Sequence, residues 1–528
     1  MAITLDTITP AAQEEARALG LRDPLQQLPS EMGFEAWFEV VEENFRAVAA
    51  SECRAIYHRY QGQDVGDLDR FRECYMAYCY DERIERFCRA HLDELRGTLF
   101  RRVELFLGHQ LVFKVAGNPA VAEHQTALES LFMTFRGEVG DRPMSYAQLS
   151  ALVKSSPDRE ERQAAWQAFA PFGAAHRDQM RALIASRNQL AVSLGYRDFL
   201  DLKWKLGEVD ESWFLALLDQ LEAETRGPYE QVLEELQGLL GVERVEPWDV
   251  SYGVEKLSPI APELFDQEGA WSRLQRLLTS WGFTPAEMAI PVATSEGFAI
   301  GGICFGIEPG KEVGILLNPG DGPRFYRTFF HEFGHAMHFR HVGQDNMLLN
   351  TEDASFNEGM AVFFESFVSD PAWVAKNLDL SEEEQARFCK QARYAALTWM
   401  RTLLSNIHFE YALYTRPDDD PDALYREIQA RYGRFAIAPE HAPRWACDQM
   451  LVSFPVYWHS YLIASVIAHQ TREAILARDG ELVENPRVRA FLTEHYYQPG
   501  ATVPWREKVQ RATGKALDAG AYVRYLKS

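Results

Sequence analysis

With 528 residues, 47% of them apolar and 25% charged, the chain has ample material for a large buried core and no compositional sign of disorder. Its formal net charge of -23 argues against nucleic acid or an anionic membrane as partner, because both repel such a surface. The opening MAITLDTITPAAQEEARALG has neither a basic start nor an apolar run, and no stretch of about 18 apolar residues occurs, so neither a signal peptide nor a spanning helix is expected.

Cys53, Cys74, Cys79, Cys88, Cys304, Cys389 and Cys447 are odd in number and form no CxxC pair. They read as reduced thiols of a cytoplasmic protein. No Gly/Ser-rich or Pro-rich linker divides the chain, which reads as one body, 1–528, of two lobes. Residues 1–245 form a mainly helical N-terminal lobe, broken by turn signals such as Gly140-Asp-Arg-Pro143, Ser156-Pro157 and Gly227-Pro228. Residues 246–528 form the catalytic region. Within it Pro and Gly become frequent, and Phe298 to Gly306, Glu308-Pro-Gly-Lys311 and Val313 to Leu317 read as a hairpin, a small sheet near residues 290–320. Its edge either holds an extended peptide by main-chain hydrogen bonds or only orients the next helix.

That next helix is expected from about Arg324 to His341, with Pro323 at its first position and Asp321 or Gly322 capping it. It carries His331-Glu332-Phe333-Gly334-His335, an HExxH motif. Residues four apart share a helix face, so His331 and His335 point at one zinc ion per chain, and Glu332 stands beside the metal as general base for a bound water. Two histidines leave such a site one protein ligand short if a position stays open for water. The next candidate is Glu358, a carboxylate among Phe356, Met360, Val362, Phe363 and Phe364, where burial is costly unless the charge is paired or metal-bound; the alternative is an ordinary surface carboxylate. Glu365, seven residues on, lies on nearly the same face and reads as an outer partner of a ligating imidazole. Asp353 is a second outer candidate, and helix capping explains it equally well. The acidic run Asp418 to Asp422 reads as a solvated turn.

HEFGHAMH followed by FNEGMAVFFE resembles the thimet oligopeptidase and neurolysin family of zinc peptidases. Arg162 to Phe199, with Trp166, Ile184 to Asn188 and Leu194-Gly-Tyr196, is similar to a helical segment shared by these enzymes and angiotensin-converting enzyme, and Gly500 to Tyr525 is similar to the end of the latter. The resemblance implies a mainly α, two-lobed helical fold around a deep channel that admits short peptides. It implies Glu358 as third zinc ligand, Tyr461 as the hydroxyl facing the scissile carbonyl, and His459 or Tyr457 as a second donor. Two departures matter. Ser460 stands where angiotensin-converting enzyme has a chloride-binding arginine, and Gln449 to Pro455 lacks the oligopeptidases' glycine-rich loop. The expected activity is zinc-dependent cleavage within short peptides. Release of C-terminal dipeptides is the first alternative and needs a cationic anchor, for which arginines such as Arg401 offer no selective spacing. A peptidase fold specialised for a small-metabolite amide or a non-peptidase role is the second.

Overall fold

The computed structural model describes residues 5, 7–26, 33–259, 262–294 and 301–528. The described residues are overwhelmingly helical, with two small sheets set among the helices. Strands β1 (Gly137–Val139) and β2 (Arg142–Met144) pair antiparallel around Gly140, where the sequence showed only a turn signal. Strands β3 (Val292–Thr294), β4 (Gly302–Glu308) and β5 (Glu312–Leu317) form a sheet in the order β3-β5-β4, with β5 central and parallel to β3. The expected hairpin is β4 and β5, paired antiparallel from Gly302↔Leu317 to Glu308↔Glu312. Phe298 to Ile300, where it was expected to begin, lie outside the described residues.

The HExxH helix runs Pro323–His341. Gly322 precedes it at φ 95°, a left-handed conformation that favours glycine, and Pro323 takes the first helical position. Asp321 does not cap it; its carboxylate accepts the Gln267 N–H at 2.9 Å. Phe330, Phe333 and Met337 on its inner face are fully buried, each worth about 1.5–3 kcal/mol relative to exposure. Close packing against this helix sets the site. A Cβ on Gly334 would meet the Ala361 Cα at 2.6 Å, so only glycine lets the helix Ala354–Glu365 lie against it. A Cβ on Gly359 would meet Ile467 at 3.0 Å, which brings a third helix, Trp458–Asp479, onto the same contact.

The largest hydrophobic core spans Leu111 to Leu526 and crosses the expected lobe junction near residue 245. A second core gathers Ile8 to Leu107 with Leu348. All seven cysteines are unpaired, and among the described residues no helix is long and apolar enough to cross a membrane.

Candidate metal centre

The three packed helices bring His331, His335 and Glu358 together, with one ligand atom from each lying within 4.8 Å of the others. Glu358 Oε2 is 3.3 Å from His331 Nε2 and 3.8 Å from His335 Nε2. That oxygen is buried and has no well-formed hydrogen bond, an arrangement whose cost falls away if the three groups face a shared cation. Two imidazoles and a carboxylate are a donor set suited to zinc, so the residues fit the implied metal.

Outer contacts hold His331 and Glu358 in place. His331 Nδ1 lies 3.1 Å from Glu365 Oε2, where the sequence expected an outer partner. Burial opposes a charge on His331, but Glu358 and Glu365 on its two nitrogens outweigh it and hold its pKa well above the usual imidazole value. His335 has no such pair of acceptors; burial pushes its pKa down to about 4. Glu358 is buried too, yet His331, His335 and Tyr457 together hold its pKa down to about 2. The Tyr457 hydroxyl donates to Glu358 Oε1 at 2.8 Å. Tyr457 was expected as a second donor to substrate; in the structure its hydroxyl is already engaged by Glu358.

Glu332 lies next to the cluster, buried against β4. A Cβ on Gly302 would come within 2.7 Å of its Cγ, and the Cys304 N–H faces its carboxylate. Burial and then the neighbouring Glu358 raise its pKa to about 7, against the opposing effect of His331. Tyr461 follows Tyr457 by one helical turn, with ring centroids 5.3 Å apart. Its hydroxyl is close enough to Glu358 and Glu332 for both charges, after burial, to raise its pKa.

Two expected residues are not brought to the cluster. His459, two positions from both tyrosines, points to the opposite side of the helix, where its ring packs against Trp204 and Phe214 at 6.3 and 6.0 Å. Asp353 caps its own helix by accepting the Ser355 N–H at 2.8 Å.

The segment leading into Tyr457 holds residues the sequence did not single out. Arg187 donates to the carbonyls of Leu451 and Val452 at 2.5 and 2.6 Å, and buried Glu410 accepts the Val456 N–H at 2.6 Å. Val456 sits at φ 55°, strained for a β-branched residue, so these two clamps hold the turn that aims Tyr457 at Glu358.

No curated protein matches the sequence significantly. Three solved structures share the fold over the whole chain. One from Bacillus anthracis str. Ames, titled as an oligoendopeptidase F, has 17% identity and a TM-score of 0.66, covering 100% of this chain and 97% of that one. PZ peptidase A with an inhibitor has 17% identity and a TM-score of 0.67, covering 100% and 96%. A second structure titled oligoendopeptidase F has 18% identity and a TM-score of 0.66, covering 100% and 97%. Residues 152–269, which include the Trp166 to Tyr196 segment singled out in the sequence, match the model of Peptidase family M3.

Proposed function

We propose that this protein is a zinc-dependent oligopeptidase that cuts within short peptides. The convergence of His331, His335 and Glu358 on one point, with Glu332 beside it, carries the reading. Zinc held by these three residues would supply the Lewis acidity that polarises the scissile carbonyl and acidifies water. Glu332 takes the proton from the attacking water and passes it to the leaving amine. The Tyr461 hydroxyl donates to the carbonyl oxygen as negative charge develops there. Glu365 holds the His331 ring and Tyr457 holds Glu358, so neither ligand has to reorganise during the reaction. The edge of β4 away from β5, which pairs with no further strand among the described residues and lies beside Glu332, would offer main-chain hydrogen bonds to an extended peptide.

Release of C-terminal dipeptides remains the second reading; it needs a cation for the free carboxylate, and Arg401 does not supply it. It is buried, with its guanidinium 3.4 Å from Glu222 and its Nε donating to the Tyr432 carbonyl. Mass spectrometry of products from a mixed peptide library, with and without a chelator, tests the proposal. Chelator-sensitive internal cuts are expected. Dipeptides alone would favour the second reading, and intact peptides would point to a specialised amide substrate.

A further inference from the structure

A cavity of about 880 Å³, the size class of a small-ligand or short-peptide site, opens on the side of Tyr461 where Trp399 and Trp458 stand. Trp399 and Trp458 line it, and both rings lie 6.3 Å from that of Tyr461. Lys154 enters the cavity from the helix Tyr146–Ser155, and Arg324 and Arg327 enter from the HExxH helix. Arg444 also lines it, but its guanidinium is stacked over Trp166 and Phe169 at 4.9 and 4.8 Å.

Among the described residues, no acid in the same wall forms an ion pair with these cations. Asp321 and Asp448 accept the backbone N–H groups of Gln267 and Met450, and Glu255 faces Lys154 without forming an ion pair. Among the described residues, Lys154, Arg324 and Arg327 enter no ion pair or hydrogen bond, whereas Arg159 and Arg162, on a neighbouring helix, are both paired with Asp249. Lys154 and Arg324 are exposed to the cavity and Arg327 is half-buried, so in a chain of net charge -23 three cations present their charge to the space of one cavity. Burial, and then repulsion from Arg324, lowers the Lys154 pKa, the condition that an arriving anion would relieve.

Helix geometry sets how far these cations stand from the chemistry. Arg324 lies two turns before His331 on the same face, about 10 Å along the axis, and Arg327 lies about 6 Å before it. We propose that Lys154 and Arg324, assisted by Arg327, anchor a substrate carboxylate about three residues along the extended peptide from the bond that is cut, at about 3.3 Å per residue. The inference rests on the peptidase reading and names its substrate class: peptides carrying a carboxylate at that distance, either the free C-terminus or an acidic side chain.

The test is kcat/KM on matched peptide pairs. One pair differs as free C-terminal acid against amide; others carry Asp or Glu against Asn or Gln at the third position on either side of the cut. The natural protein is expected to favour at least one carboxylate-bearing partner by about tenfold or more. Lys154→Gln and Arg324→Gln should each reduce that preference several-fold while leaving the neutral peptides' rates unchanged, and Arg324→Lys should retain it. A preference confined to the free acid identifies the chain end as the ligand, and one confined to Asp or Glu identifies a side chain; either supports the anchor. Equal rates within every pair, or a preference that survives Lys154→Gln combined with Arg324→Gln, overturn it. If no peptide is cut, the peptidase reading has failed, and fluorescence anisotropy with the same labelled peptides decides the anchor alone. Tighter binding of the carboxylate partner that is lost in the double variant supports it; equal binding overturns it.

Discussion

Two buried ionic clusters lie about one turn apart on the HExxH helix, and they differ in where the positive charge comes from. His331, His335 and Glu358 converge with Glu358 Oε2 left without a hydrogen bond. In the second cluster, His338 Nε2 lies 3.1 Å from Glu352 Oε1, and Lys508 from the helix Trp505–Thr513 donates to Glu352 Oε2. Lys508 also donates to the Tyr496 and Gly500 carbonyls at 3.4 and 3.2 Å, and its ammonium sits 3.6 Å from the centre of the Phe356 ring. Glu352 is thereby held ionised, its pKa below the ordinary value despite complete burial, chiefly by Lys508 and His338. One cluster contains its own cation and ties the C-terminal region to the helix; the other, on the proposed function, takes its cation from outside. Histidine and glutamate thus build a structural joint in one place and, on the proposed function, a metal centre in the other.

Substitutions in the first cluster should separate metal binding from chemistry, with the largest effects. Glu332→Gln is expected to lower kcat by about 10³- to 10⁴-fold while the metal content stays at one per chain. Glu358→Ala should abolish activity to a similar degree but through loss of metal, read by elemental analysis of the purified protein. Equal metal loss in both variants would remove the distinction between ligand and base.

The second cluster should respond in stability instead. Lys508→Met leaves the Glu352 carboxylate buried without its cation, a change that costs about 3–5 kcal/mol in denaturant unfolding. Metal content and the kcat of the folded fraction should hold. Adding Glu352→Gln should recover part of the loss, because the uncompensated charge goes with it. If Lys508→Met instead stripped the metal at unchanged stability, the two clusters would have to be one coupled unit.

Tyr457 and Tyr461 divide the first cluster further. Tyr461→Phe is expected to lower kcat by about 10²-fold at constant metal affinity. Tyr457→Phe should weaken metal binding by about 10-fold, measured by competition with a chromophoric chelator, because it removes the hydrogen bond to Glu358. Exchange of these two phenotypes would exchange the roles.

How far such roles were legible follows from whether they are local to a helix. His331, Glu332 and His335 are fixed by spacing within one helix, and Glu358 and Glu365 by being carboxylates on one face of an apolar one. The position of His459 was also legible, since two residues from Tyr457 and from Tyr461 is the far side of a helix, but the resemblance drew attention to residue type over angle. The Tyr457 contact with Glu358, the Lys508 contact with Glu352 and the approach of Lys154 to Arg324 join segments far apart in the chain, and no local periodicity encodes them. The β1–β2 hairpin is illegible for another reason. Its strands are only three residues each, too short for an alternating pattern.

Glu410 offers a third way to bury a carboxylate, with neither metal nor paired lysine. It accepts the Val456 N–H, and burial, reinforced by Asp448, raises its pKa to about 8 against the opposing effects of that bond, Arg187 and Lys203. Here the charge is avoided by keeping the proton. In the unfolded chain the same group ionises near 4.5, so between that pH and about 8 the folded state holds a proton the unfolded state has released. Its contribution to stability is therefore complete below pH 4.5 and is lost as pH rises towards 8, by at most about 4 kcal/mol over the window. Glu410→Gln is neutral at every pH and should flatten this part of the profile, read as urea midpoints at pH 5 and pH 8. Parallel profiles would mean that Glu410 is ionised in the fold and that Arg187 or Lys203 neutralises it as Lys508 neutralises Glu352.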